Sequence, residues 1–183
     1  MKSRVAWFNN NLLSGLLVVA ALGCTSPGAT SDAKAKGSKR DATLLRIFQE
    51  TGEDGRSGGT PVPVYRASPV PVYIDKAWFL DEGQVEQAAV VNVLDGFAIQ
   101  IKFNVQGTWA LESATTAKKG YRIVIWAQWT EARWLAAPLM SQPIKDGVVS
   151  FTPDATREEA ERIVRGLNNL AEQQGNKPKA KKR

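Results

Sequence analysis

The chain has no histidine and only one cysteine. Without histidine it lacks the commonest general base near neutral pH and the commonest metal ligand. With a single thiol, Cys24, it cannot close an internal disulfide. Ser113, Ser141 and Ser150 have no His partner, and no local signature points to a Ser-Lys pair. A Gly-rich phosphate loop is missing too, since Gly58-Gly59 precedes prolines rather than a helix. The acidic pairs Glu53-Asp54, Asp81-Glu82 and Glu158-Glu159 fall by pattern in a loop, a turn and an exposed helix start. A glycosidase needs two carboxyls facing each other across a cleft, whereas these read as ordinary surface charge. Long apolar runs are absent as well. Leu12 to Leu22 (LLSGLLVVAAL) is the uncharged stretch, and as a helix it covers about half of a roughly 30 Å hydrocarbon core. No catalytic activity, metal or cofactor is expected. A deep pocket gathering several acids with Lys102 or Lys119 would reopen the enzyme reading.

What is present begins with that apolar run. Lys2 and Arg4 precede it, and Gly23-Cys24 ends it. A charged start, a short apolar middle and a small residue at the processing point define a secretory signal. Ala21-Leu22-Gly23-Cys24 resembles the bacterial lipobox, with Ala21 and Leu22 in swapped order. The expected product is a lipoprotein anchored to membrane lipid through acylated Cys24, several acyl chains being needed for firm attachment. The other reading is an ordinary signal peptide with Cys24 in it or just past it. Thr25 after the cysteine, by analogy with bacterial sorting, favours the outer membrane where the host has one.

The net charge of +6 hides an uneven distribution. Residues 1–40 hold six basic and one acidic residue, and residues 173–183 hold five basic residues. Residues 41–172 hold 13 basic and 17 acidic residues, so the folded part is mildly acidic and the basicity lies in the tails. Basic tails can bind nucleic acid, but an exported protein rarely meets it, and no nucleic-acid partner is expected. Lys34, Lys36, Lys39 and Arg40 could touch anionic head groups near the anchor, at about 1 kcal/mol each. Alternatively this Ala/Gly/Ser-rich segment is a solvated tether. The resulting division is signal 1–23, flexible tether 24–42, domain 43–172 and disordered basic tail 173–183.

Within the domain, Thr43 to Glu50 reads as a strand buried on both sides, with Leu45 and Ile47 on one face and Leu44 and Phe48 on the other. Gly52 to Thr60 is a loop. PVPVY occurs twice, at Pro61 to Tyr65 and Pro69 to Tyr73. Prolines at alternate positions forbid a helix and allow extended geometry. Two readings remain: a docking segment for an aromatic groove, or an edge ribbon packing Val64, Tyr65, Val72 and Tyr73 on the domain. A short turn at Asp81 to Gln87 leads to a strand from Ala88 to Leu94. An Asp95-Gly96 hairpin turn then gives a returning strand from Phe97 to Phe103.

Asn104 caps a helix to about Lys119, with Val105, Trp109, Ala110, Ala114 and Ala117 as its apolar stripe. Tyr121 to Trp129 is a strand, Ala132 to Met140 is extended, and Val148 to Thr152 is a strand. Thr156 and Glu159 form a capping box for the last helix, whose stripe is Ala160, Ile163, Val164, Leu167 and Leu170. Glu158 and Glu161 are set to pair with Arg162 and Arg165. The expected class is α+β: a two-layer sandwich of a mainly antiparallel sheet with two helices packed on one face.

The order of elements from Phe79 to Leu170 resembles the head subdomain of the first periplasmic domain of SecD, in the SecD/SecF protein-export machinery. The stretches that carry the resemblance are FLDEGQVEQAAVVN (Phe79 to Asn92), FAIQIKFNVQGTWALESAT (Phe97 to Thr115), YRIVIW (Tyr121 to Trp126), LAAPLMSQPI (Leu135 to Ile144) and VSFTPDATREEAERIVRGLNNL (Val149 to Leu170). AQWTEARW replaces the compact turn the family would have before its small-Ala-Pro stretch, and no membrane-spanning helix is expected beyond the signal. The resemblance implies an exported α+β domain and, in the family, contact with translocating polypeptide.

The candidate contact surface is the turn around Trp126, Trp129, Arg133 and Trp134, because Trp and Arg are favoured at binding hot spots. On a regular strand Trp126 faces away from Trp129, so either an aromatic patch is exposed or both faces are covered. Two roles follow: an envelope module that binds a polypeptide or envelope protein, near protein export; or a structural lipoprotein whose basic tail Lys177 to Arg183 touches wall or lipid polymers.

Overall fold

The computed structural model describes residues 41–52 and 58–176. The signal, Cys24, most of the tether, part of the Gly52–Thr60 loop and the Lys177–Arg183 tail lie outside the described residues. The class is α+β, and the strands form two antiparallel sheets where the sequence suggests one. The first has five strands: β1 (Leu44–Glu50), β2 (Thr60–Val64), β3 (Val70–Asp81), β6 (Ile123–Gln128) and β7 (Ala132–Ala136), in the order β2-β3-β1-β6-β7. The second has three: β4 (Val85–Val93), β5 (Gly96–Phe103) and β8 (Val148–Phe151), in the order β4-β5-β8. Two helices, α1 (Val105–Ala117) and α2 (Arg157–Gln173), complete the domain.

One core joins both sheets to both helices. Leu45, Ile47, Leu80, Ile123, Ile125 and Leu135 come from the first sheet; Ile99, Ile101, Phe103, Val149 and Phe151 from the second; Leu111, Ile163 and Leu167 from the helices. Each such aliphatic side chain contributes about 1.5–3 kcal/mol on burial. Alternation in β5 is clean, with Ile99, Ile101 and Phe103 buried and Gln100 and Lys102 exposed.

A second, smaller core explains the PVPVY repeats. They pair with each other as β2 and the start of β3, Val62 opposite Val72 and Val64 opposite Val70. Val62, Val64, Val72 and Ile74 pack with Val124 and Ala137, and Phe48 and Trp134 lie against them. The ribbon reading therefore describes the structure, although Tyr65 stays 38% exposed. Register shifts between β1 and β3 let the long third strand bend over the sheet's outer face. The Ala137 N–H donates to the Tyr65 hydroxyl (3.3 Å), bringing the ribbon's end to the far side of the same sheet.

Four local expectations change. The β4–β5 turn is Leu94-Asp95, with Val93 opposite Gly96 at φ 142°. The buried side of α1 is Gly107, Leu111 and Thr115, while Val105 and Trp109 are exposed. A Cβ on Gly107 would stand 2.8 Å from the Cβ atoms of Gln84 and Phe103, so close packing, not an apolar stripe, seats this helix. On α2 the pairs are Arg157–Glu161 (3.3 Å) and Arg165–Asp41 (3.0 Å). Finally, the domain extends past its expected limits. Asp41 also accepts from Asn169, and Gln174 to Asn176 close α2, with Asn176 donating to the Gly83 carbonyl (2.8 Å).

Candidate functional site

The outer face of β1 carries Leu44, Arg46 and Phe48, opposite to the buried Leu45 and Ile47. Register brings further aromatics beside them: Phe48 pairs with Trp78 of β3, Arg46 with Trp126 of β6, and Trp126 in turn with Trp134 of β7. The six side chains Leu44, Arg46, Phe48, Trp78, Trp126 and Trp134 line an open groove of about 310 Å³. At one end the outer face is sealed where Val124 lies under the PVPVY ribbon; at the other it is open.

The aromatic rings brace one another. Phe48 meets Trp78 edge-on at 6.3 Å and Trp134 at 5.5 Å between ring centroids. The Arg46 guanidinium lies 4.8 Å from the Trp78 ring centre, in cation–π range. Its charge is not free, because it is ion-paired with Glu82 and also donates to the Leu45 carbonyl (2.7 Å). Glu82 accepts from the Leu45 N–H as well (3.0 Å). The groove thus offers large apolar surface, 49% exposed at Trp78, and one neutralised cation. Such a lining favours apolar or aromatic groups of a partner.

The sequence-derived patch divides. Trp126 and Trp134 are in the groove. Trp129 and Arg133 are on the other side, against the main core and α2. Trp129 packs on the main core with the Arg133 guanidinium 5.0 Å from its ring centre. Arg133 is tied to Glu131 and Glu159 and donates to the Asp154 carbonyl (3.2 Å). Burial pulls its pKa down, but the hydrogen bonds and charges of Glu159 and Glu131 outweigh this and raise it. Glu159 is held below the ordinary glutamate range, first by the Arg133 hydrogen bond and then by the Thr156 N–H, against the effect of burial. Arg133 is a structural clamp, occupied on every side. Leu44 and Phe48, expected on a buried second face of β1, instead line this open groove with Arg46 between them, because among the described residues no layer covers that end of the sheet; Trp78 joins only through the β1–β3 register.

Within the described residues, three members of the acidic pairs have structural partners. Asp81 caps the turn Glu82–Gln84, Glu82 holds Arg46, and Glu159 completes the Thr156 capping box. Among the described residues, no three His, Cys, Asp or Glu side chains are grouped to hold a metal, and no helix is long and apolar enough to cross a membrane.

No protein-family model and no curated protein matches the chain. Solved structures do match its fold. SecDF, described as a membrane component that enhances protein export, aligns at 18% identity with a TM-score of 0.50, over 70% of this chain and 63% of the SecDF chain. SecDF in a super-membrane-facing form aligns at 16% identity with a TM-score of 0.49, over 70% of this chain and 19% of that one. The chain therefore spans less than two thirds of the SecDF chains it matches. The fold class defined here is an α+β domain of the SecD periplasmic-head type.

Proposed function

We propose that this protein is a non-catalytic binding module of the cell envelope, working in association with protein export, which holds polypeptide against the groove of Trp78, Trp126 and Trp134. The observation that carries the reading is the groove itself: three tryptophans and Phe48 from four strands converge on one open sheet face. Structures normally bury such side chains, and clustered, accessible Trp is characteristic of contact surfaces. The SecD-type fold supports an exported setting. Attachment is through lipid on Cys24, motivated by the short apolar run that precedes it.

A photocross-linking residue placed at Trp126, in the full chain in its own cells, tests the groove. The same probe at Trp109, which is 68% exposed on α1, is the control. Polypeptide adducts from position 126 and not from 109 are expected; equal yields from the two positions, or none from 126, overturn the reading. Mass spectrometry of the mature N-terminus tests the anchor separately: a diacylated or triacylated Cys24 is expected, and a free thiol there removes it.

A further inference from the structure

Every open sheet has two edges, and an edge strand with unpaired N–H and C=O groups is a template for another chain. The two sheets here have four edges: β2, β7, β4 and β8. Three are closed. Along β2, Pro63 faces Pro71, and two prolines cannot exchange ladder bonds. Pro61 and Pro63 therefore face outward, where they present no N–H. Along β7, the Leu135 carbonyl accepts from the Asp154 N–H (2.7 Å) and the Ala137 N–H is taken by the Tyr65 hydroxyl. Asp154 is itself fixed by Arg66, whose backbone N–H donates to Oδ2 at 2.7 Å. Along β4, the Asn168 side chain imitates a neighbouring strand: Oδ1 accepts from the Ala88 N–H (2.8 Å) and Nδ2 donates to the Ala88 carbonyl (2.9 Å).

The β8 edge differs. Phe103 N–H donates to the Gly147 carbonyl (2.9 Å), and Ile101 opposes Val149 two residues on, as Ile99 opposes Phe151. Antiparallel pairs alternate, so Val149 and Phe151 turn their backbone groups toward β5. Val148 and Ser150 turn theirs away. The Val148 N–H is taken locally by Asp146 (3.1 Å), while Ser150 is exposed and, among the described residues, no strand lies beyond it. This edge borders a cleft of about 460 Å³ between β7 and β8, whose lining includes Ala98, Ala136, Pro138, Ser150 and Thr152. The small Ala98 and Ala136 leave the space, and Tyr65, at φ 70°, is also part of the lining. None of the described residues lining it is charged.

We infer that the β8 edge accepts an extended, uncharged segment of a partner polypeptide as an added strand, paired through the Ser150 backbone. The cleft selects this occupant. Its described lining carries no charge, so a charged segment would lose hydration there without gaining a counter-ion, whereas an uncharged one would not. The site is separate from the aromatic groove and stands or falls on different residues.

The test is amide hydrogen exchange on the isotope-labelled full chain, with a blocked peptide of alternating Thr and Val, ended by lysines for solubility, as the probe. Saturating peptide is expected to slow exchange at Ser150 by about tenfold or more, the effect of one net hydrogen bond. Ala88, already bonded to Asn168, should not change. Ser150→Pro removes the outward N–H without touching a β5 bond and should abolish peptide binding while circular dichroism stays native. Unchanged Ser150 exchange at saturation, or equal binding by a folded Ser150→Pro, overturns the inference. So does protection that rises with protein concentration without peptide, which would assign the edge to a second copy. The wild-type exchange measurement decides the matter even where Ser150→Pro fails to fold. Trp126→Ala should leave the Ser150 response intact, so failure of the groove and failure of the edge are distinguishable.

Discussion

The two faces of the five-stranded sheet divide stability from recognition. On the inner face of β1, Leu45 and Ile47 are 1% and 0% exposed and meet both helices' core. On the outer face, one strand position away, Leu44 is 39% exposed and Phe48 is half-covered by aromatic neighbours. The PVPVY ribbon seals only the Val124 end of that face. The same β1–β6 pairing therefore builds a dry core on one side and a tryptophan groove on the other.

The largest effect expected from breaking this contrast is on the inner face. Leu45→Ala should lower unfolding free energy by about 2–5 kcal/mol, as cavity-forming core truncations do, measured by urea denaturation. On the outer face the double variant Trp126→Ala/Trp134→Ala should weaken polypeptide binding by about 2 kcal/mol, the level of an interface hot spot, by titration calorimetry with the cross-linked partner. Its loss of stability should be smaller than that of Leu45→Ala; the reverse ordering would show the groove to be core. Asn168→Ala strips both partners from Ala88 and should cost about 1–3 kcal/mol. It should also make the domain self-associate through the freed β4 edge, read by sedimentation.

The smallest effect concerns the Arg133 clamp beneath the same β7 strand. Glu159 is more acidic folded than unfolded. Its contribution is complete above the ordinary glutamate pKa and is lost as pH falls through the lower folded value. Melting temperature should therefore drop as pH falls below the ordinary glutamate range, and Glu159→Gln should flatten that slope. Parallel acid slopes in the two proteins would remove Glu159 from the account.

Local signals were readable in proportion to how local they are. The α2 capping box and the β5 alternation depend on residues a few positions apart, and both stand as expected. The β4–β5 hairpin was legible but its turn moved by one residue, because Gly96 supplies its positive φ as the first residue of β5 rather than inside the turn. The buried face of α1 is not legible in a hydrophobic pattern, because its contact depends on the missing side chain of Gly107. Of the tryptophan patch, half was legible: the alternation along β6 separates Trp126 from Trp129, but nothing nearby in the sequence ties Arg133 to Glu159 or Trp78 to Phe48. Those pairings arise from strand register and helix docking across long separations. The split into two sheets has the same origin.

The clamp of α2 on the start of β1 has a consequence for how this unit can be wired into larger chains. A Cβ on Gly166 would stand 2.8 Å from the Thr43 nitrogen, and Asp41 is bonded to Arg165 and Asn169. At the other end, Asn176 just past α2 donates to the Gly83 carbonyl, next to the Glu82 that accepts from the Leu45 N–H of β1. Entry and exit are therefore neighbours, the geometry that lets a domain be spliced as a cassette into a host loop, or be re-cut with new ends, without rerouting its strands.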